Sequence, residues 1–212
     1  MKDFPMFTTE YGAASLVLKE IPYRQEAYIT IRASQEPEKL VEECVSFCRV
    51  CGAEKIYAAG WDGLEKYPLH ASILEMRAPA QPEPDKLERL FPVTEATIGR
   101  WREIYNGPMR NIDCAATLTS KDEQNILQSG GAYFVHRDGQ LLGIGWMDDT
   151  ELLSIVAAKP GAGERVMHTL MSLIEGAQMR LQVASTNERA IRFYRRLGFV
   201  TTKEAVRWYK II

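Results

Sequence analysis

The stretch 183–199, close to the carboxyl terminus of this 212-residue chain, constrains the fold most strongly. It starts with the end of an apolar run. Ser185 and Glu188 then form a capping-box pattern, which predicts the start of a helix. Apolar residues recur at helical spacing after it, and Gly198 predicts the helix end, because glycine adopts the left-handed cap conformation without a Cβ penalty. The stretch therefore predicts a strand end, an amphipathic helix and a sharp stop.

Two polar side chains lie on the apolar side of this predicted helix. Asn187 and Tyr194 are seven residues apart, which is about two helical turns. They share their face with Ala190, Ile191 and Leu197. Two aligned polar tips indicate a binding surface. The alternative is an ordinary core helix, in which the tyrosine hydroxyl bonds to some backbone group.

The run N-x-x-A-I-x-F-Y-x-x-L-G-F over residues 187–199 resembles the most recognisable motif of the GNAT acyltransferase superfamily. Members of this superfamily move an acyl group from coenzyme A, usually to an amine. The resemblance implies an α/β fold with a mixed sheet, with acetyl-CoA as co-substrate and no metal. It also implies that Asn187 bonds to the pantetheine arm, that Ala190 lies in the cofactor site, and that Tyr194 protonates the departing thiolate.

A proline-rich segment divides the predicted elements into two groups. Residues 79–86 contain three prolines, which remove amide donors and predict a linker. Residues 87–212 follow the order of a complete GNAT domain, including a hairpin at Asp138-Gly139. Residues 1–78 form an α/β segment, which we interpret either as a degenerate half-copy of the same fold or as a simple structural addition. Its predicted elements are strands 14–20, 27–33, 54–59 and 71–76 and helix 37–51.

A glycine turn before the next-to-last helix is the second motif. Such a turn suits the pyrophosphate of coenzyme A, because unpaired amides and the helix dipole face the anion. The superfamily carries [QR]-x-x-G-x-[GA] here, but Ala158 replaces the first residue and Pro160 lacks an amide hydrogen. Either Lys159 or Arg165 supplies charge to the phosphates, or coenzyme A binds weakly. The predicted cofactor-binding residues of the turn are Gly161, Ala162, Gly163, Glu164 and Arg165.

The resemblance also implies the catalytic groups. The strands that begin at Glu151 and Gln178 are expected to splay apart, and a backbone N–H of Ile155, Val156 or Ala157 binds the thioester carbonyl. An alkylamine, with a pKa near ~10, is mostly protonated at neutral pH and needs a general base. Glu151 is the candidate base, acting directly or through water. The alternative is a solvated residue after a turn.

Composition excludes several other classes of function. With 26 basic and 28 acidic residues, the chain lacks the excess of positive charge expected of a nucleic-acid-binding protein. It has no apolar run of the ~18 residues that span a bilayer. Its start lacks the apolar core of a secretory signal, so we expect a cytoplasmic protein. Cys44, Cys48 and Cys51 have helical spacing, which favours buried reduced thiols over a zinc or redox site.

The sequence therefore predicts an acyl-CoA-dependent N-acyltransferase, which moves acetyl from acetyl-CoA to a primary amine of a small molecule or peptide by direct attack. The expected partners are this acceptor and coenzyme A, without nucleic acid or membrane, and the chain is a monomer or a homodimer. A non-catalytic acyl-CoA sensor or interaction module is the main alternative. An acyltransferase for a hydroxyl group is a third, weaker one.

Overall fold

The computed structural model describes residues 6–79, 88–174 and 178–212. These residues form two compact units, and the chain passes between the units within two long strands. The elements in chain order are β1 (Met6–Thr9), β2 (Gly12–Val17), α1 (Ile21–Arg24), β3 (Glu26–Ser34), α2 (Pro37–Val50), β4 (Lys55–Ala59), a 3₁₀ helix (Asp62–Lys66), β5 (Leu69–Pro79), β6 (Arg89–Pro92), α3 (Ile98–Met109), α4 (Ser120–Ser129), β7 (Ala132–Arg137), β8 (Gln140–Asp148), β9 (Glu151–Ala157), α5 (Gly163–Met171), β10 (Gln178–Ala184), α6 (Glu188–Arg196) and β11 (Val200–Lys210).

Unit 1 contains the described residues up to Ile73 together with Glu204–Ile212. Its strands are ordered β1-β2-β3-β4-β11, with β3 and β4 parallel and the other neighbours antiparallel. Helix α2 packs on this sheet through an apolar face that includes Cys44 and Cys48. Burial raises the pKa of these thiols to about 12 and about 11. Both cysteines are therefore buried thiols as predicted, whereas Cys51 is exposed.

Unit 2 spans Leu74–Lys203 and has the strand order β5-β10-β9-β8-β7-β6. Its sheet is mixed, because β9 and β10 are parallel while β6 to β9 are antiparallel. Helices α5 and α6 pack on one face of the sheet, which we call the α5 face. Helices α3 and α4 pack on the other, which we call the α3 face. The mixed α/β fold confirms the predicted fold class.

Strand periodicity assigns side chains to these two faces. Met179, Leu181 and Val183 of β10 are buried in the core on the α5 face. Arg180 and Gln182 alternate with them and are exposed, as expected from the two-residue period of a strand. The residues between the buried positions therefore point to the α3 face.

Several local predictions agree with the structure. The hairpin between β7 and β8 turns at Asp138 and Gly139, whose φ angles of 50° and 76° suit a primed turn. The last element of the chain is one long strand, β11, which ends in unit 1. Most of the predicted linker 79–86 lies outside the described residues, so the proposed domain boundary stays a prediction. The half-copy interpretation of residues 1–78 also stays a hypothesis.

Candidate active site

Two parallel strands of unit 2 diverge at the centre of the candidate site. β9 and β10 pair at Glu151 with Arg180 and at Leu152 with Leu181. Along the described residues the pairing goes no further, although both strands continue. We call the space beyond these pairs the β9–β10 gap. It is the divergence that the GNAT resemblance predicts, and it leaves one edge of β9 without a strand partner.

The backbone of β9 directs two amides into this gap. The amide of Ala158 donates to the carbonyl of Leu142 in β8 at 2.8 Å. Because backbone groups alternate between the two edges of a strand, Val156 also faces β8, with which it pairs. Ile155 and Ala157 therefore direct their N–H groups into the β9–β10 gap. Of the three residues predicted to donate to the thioester carbonyl, only these two direct their N–H groups into the gap.

The turn before α5 also presents free amides. Gly161 has a φ of 80°, a conformation that favours glycine, and a Cβ built on it meets nothing within 4 Å. The Ala162 amide differs from the prediction, because it donates to the Lys159 carbonyl at 3.3 Å and closes the turn. The next three amides, which have no acceptor within the described residues, belong to Gly163, Glu164 and Arg165. They form an α-helix N-terminus suited to an anion.

Two basic side chains flank this turn, and their surroundings differ. Lys159 donates from Nζ to Oε1 of Gln140 at 2.9 Å. Arg165 is exposed and forms no ion pair within the described ranges. Lys159 and Arg165 were the two candidates to bind the phosphates. Within the described residues only the guanidinium of Arg165 has no partner that would compete with a phosphate.

The amino terminus of α6 differs from the capping-box prediction. Asn187, not Ser185, is the N-cap, and its Oδ1 accepts from the amide of Ala190 at 3.2 Å. The Asn187 amide also donates to the Ala184 carbonyl at 2.9 Å, which places two turn residues between β10 and the helix. Asparagine caps helices as well as serine does, so the pattern alone did not separate the two. Because Oδ1 is bonded, Nδ2 of Asn187 is the group left to donate to a ligand.

Tyr194 lies in the core on the α5 face, in the same cluster as Leu152 and Leu181 at the start of the gap. Its ring lies 5.5 Å from that of Phe193 and 5.7 Å from that of Phe199, between centroids. Burial raises the pKa of Tyr194 to about 12, so the phenol keeps its proton at neutral pH. Within the described residues its hydroxyl makes no hydrogen bond, and it is not among the fully buried side-chain atoms that lack a partner, so it retains some contact with solvent. The alternative of a core tyrosine bonded to the backbone is not what the structure shows.

The turn, the gap and α6 meet at Gly163. A Cβ built on Gly163 would lie 3.5 Å from Cε2 and Cζ of Phe193 and 3.9 Å from Cβ of Ala157. The free amides of α5 are thus adjacent to the end of β9 and to the residue before Tyr194. Three segments that sequence motifs identified separately therefore border one site.

Glu151 lies at the opposite end of β9, on the α3 face. Its Oε2 is 3.3 Å from Nη2 of Arg180, and the Glu151 side chain is 27% exposed to solvent. Ile155 is four residues further along the strand, a distance of roughly 13 Å at ~3.3 Å per residue. A proton would therefore travel from the gap to Glu151 through water. Glu151 and Tyr194 lie on opposite faces of the sheet.

A β-bulge separates Glu151 from the gap. The register between β8 and β9 shifts between Trp146 and Met147, which leaves Leu153 as an extra residue. Its side chain is 40% exposed. Leu153 and Arg180 were missed by the sequence analysis, because only the register and the bulge show that they adjoin Glu151.

Three aromatic residues near the α3 face belong mainly to the core of unit 2. Trp101 is fully buried and Tyr105 is stacked on it, with 5.8 Å between ring centroids. Trp146 is half-buried and contacts Trp101 edge-on. Across the described residues, no group of three or more His, Cys, Asp or Glu side chains is arranged to hold a metal ion. The same residues include no helix with the length and apolar character needed to cross a bilayer.

Solved structures share this fold. A conserved protein of unknown function from Staphylococcus epidermidis matches at a TM-score of 0.58 and 13% identity, over 99% of this chain and 94% of its own. A GCN5-related N-acetyltransferase from Sphaerobacter thermophilus matches at 0.55 and 11%, over 93% and 75%. Another from Anabaena variabilis matches at 0.62 and 11%, over 94% of this chain and 59% of its own. No family model and no curated protein matches the sequence. The splayed strands, the glycine turn and these neighbours together show that the chain has the fold of the GCN5-related N-acetyltransferases.

Proposed function

We propose that the protein is an acyl-CoA-dependent N-acyltransferase that moves acetyl from acetyl-CoA to a primary amine of a small molecule or peptide. The observation that carries this proposal is the convergence at Gly163. There the free amides of α5, the end of β9 and helix α6 border one site. The solved acetyltransferases that share the fold support the reaction class.

The residues present suit coenzyme A. The pyrophosphate would take the amides of Gly163, Glu164 and Arg165, and the Arg165 guanidinium would add charge. The pantetheine arm would lie in the β9–β10 gap and accept from Nδ2 of Asn187. Gly161 leaves open space where a side chain would otherwise approach the phosphates.

The reaction itself is a direct transfer. The neutral amine attacks the thioester carbonyl carbon, a C–N bond forms and the C–S bond breaks. The amides of Ile155 and Ala157 stabilise the negative charge that develops on the carbonyl oxygen. The amine proton passes through water to Glu151, and the Tyr194 hydroxyl donates to the departing sulfur. Because the base and the acid lie on opposite faces of the sheet, the amine enters from the α3 face.

Calorimetry with acetyl-CoA tests the first half of this proposal. We expect binding in the micromolar range, weakened at least tenfold in Gly161→Val, which puts a β-branched residue in a left-handed conformation. Release of free thiol with a panel of primary amines tests the second half. The absence of binding at millimolar acetyl-CoA would refute the proposal.

A second candidate is a non-catalytic acyl-CoA sensor. Pro160 has no amide hydrogen and the Ala162 amide closes the turn, so the turn offers fewer donors than its glycines suggest. Tight binding of acetyl-CoA without thiol release for any amine would favour this candidate. Turnover with one amine would exclude it.

A further inference from the structure

The sheet of unit 2 has an exposed shelf on its α3 face. Helices α3 and α4 pack on β7, β8 and β9, whereas the β10 side chains that point to this face are exposed. We call this surface the β10 shelf, and it adjoins the place where β9 and β10 diverge. The residues of the shelf are Glu75 and Arg77 of β5, Glu151 of β9, and Arg180 and Gln182 of β10.

The two carboxylates of the shelf have different partners. Glu75 is held by Nη2 of Arg77 at 2.7 Å and by Nζ of Lys203 at 3.1 Å. Arg77 also donates to Glu75 from Nε at 3.0 Å. This carboxylate therefore accepts two arginine N–H groups on Oε1 and has a lysine at Oε2, so its charge is compensated at both oxygens.

Arg180 is much less engaged. Within the described residues the one polar contact of its side chain is the 3.3 Å approach of Nη2 to Oε2 of Glu151, and this side chain is 48% exposed. Ion pairs between arginine and a carboxylate are usually closer, at ~2.7–2.9 Å. A guanidinium has five N–H donors, so most of those on Arg180 are unused. An exposed pair of this kind adds little stability and exchanges partners easily.

We propose that Arg180 binds a carboxylate of the acceptor, so that the amine acetylated by this protein belongs to a molecule that also carries a carboxylate. This inference rests on the proposed function. The planar fork of arginine matches a carboxylate in a bidentate geometry, which the single contact to Glu151 does not use. Arg180 is thus a specificity-determining residue.

The same contact couples recognition to catalysis. While Nη2 of Arg180 lies against Oε2 of Glu151, that oxygen is occupied by a cation. A carboxylate of the acceptor competes for the guanidinium and leaves Glu151 free to accept a hydrogen bond from the water that carries the amine proton. Leu153 follows Leu152, the last residue of β9 that pairs with β10, and its exposed side chain offers an apolar contact to the carbon skeleton of the acceptor.

Matched acceptors test the proposal. Each set contains an amino acid whose amine and carboxylate are far enough apart to reach from Arg180 to the gap, the same amino acid as its amide, and the amine that lacks the carboxylate, for example 8-aminooctanoic acid, 8-aminooctanamide and octylamine. Tripeptides with free and amidated carboxyl termini distinguish a peptide source from a free amino acid. We expect kcat/KM at least tenfold higher for the carboxylate member of each set, either among free amino acids or among peptides.

Arg180→Gln is expected to remove this preference. It should lower kcat/KM for the carboxylate member by about 100-fold, mainly through KM, whereas kcat/KM for the amine should not fall, because the substitution also frees Oε2 of Glu151. Arg180→Lys should restore part of the preference, because it keeps the charge without the fork. Arg77→Gln, on the same shelf, is the control and should change the preference by less than twofold. Equal losses for all members of a set in Arg180→Gln would overturn the proposal.

A binding measurement separates this inference from the proposed function. The same sets are titrated by calorimetry into the protein saturated with coenzyme A, which requires no turnover. Binding selective for the carboxylate and dependent on Arg180 supports the inference even if no acetyl transfer occurs. Turnover without any carboxylate preference overturns the inference and leaves the acyltransferase proposal intact.

Discussion

Replacement of Tyr194 by phenylalanine separates a catalytic hydroxyl from a structural one. The hydroxyl has no hydrogen-bond partner within the described residues, and the ring packs between Phe193 and Phe199. Tyr194→Phe keeps the ring and removes no hydrogen bond. We therefore expect the free energy of unfolding at pH 7 to change by less than about 0.5 kcal/mol. A general acid contributes roughly 10²–10⁴-fold to a rate, so the turnover number should fall by that factor while acetyl-CoA affinity stays within twofold.

The buried phenol also predicts a pH dependence of stability. Its pKa rises from the ordinary value of 10.0 to about 12 on folding, because burial disfavours the phenolate. The folded state therefore holds the proton more tightly, and this stability is complete below pH 10 and is lost as the pH rises towards 12. A difference of two pKa units corresponds to about 2.7 kcal/mol, of which about 1.4 kcal/mol is lost by pH 11.

Urea unfolding of the parent protein and of Tyr194→Phe, at pH 9 and at pH 11, measures this loss. Cys44 and Cys48 titrate in the same range but are present in both proteins, so the difference between the two proteins isolates Tyr194. We expect the difference in unfolding free energy to change by about 1.4 kcal/mol between the two pH values. A difference that is independent of pH would refute the burial of the phenol. Unchanged turnover in Tyr194→Phe would refute its role as the acid.

Three further predictions concern the rest of the site. Gly161→Ala should destabilise the fold by about 1–2 kcal/mol in thermal unfolding, because alanine is strained at its φ of 80°. Gly163→Ala, a matched control with ordinary Cβ contacts, should not destabilise it. Glu151→Gln should shift the pH profile of the rate towards alkaline pH, and an unchanged profile would exclude Glu151 as the base. Asn187→Ala should cost about 1 kcal/mol, because it removes the cap on the Ala190 amide, and should raise KM for acetyl-CoA; an unchanged KM would limit Asn187 to capping.

Local patterns made the secondary structure largely predictable. The alternation of Met179, Leu181 and Val183 with polar residues predicted strand β10, and the Asp138-Gly139 pair predicted the hairpin. These signals are local, because side-chain period and turn conformation depend on neighbouring residues. The helix start was displaced by two residues, because Ser185 and Asn187 are both competent caps.

The candidate site was predictable only where a motif was continuous. The sequence by itself assigned Asn187, Tyr194 and the glycine turn to helix termini and faces, and it predicted that they bind coenzyme A. The tertiary structure decided which backbone amides are free to bind a ligand, because that depends on the register between strands. The amides of Ile155 and Ala157 face the gap, whereas that of Val156 faces β8.

Arg180 is the clearest case of this division. Nothing in the residues around Arg180 distinguishes it from the other exposed arginines of the chain. The parallel register places it opposite Glu151, where the pairing of β9 with β10 ends after one further pair. Pairing between strands joins residues that are far apart in the chain, so the sequence determined the elements of this protein and only the tertiary structure decided the partners of its candidate base.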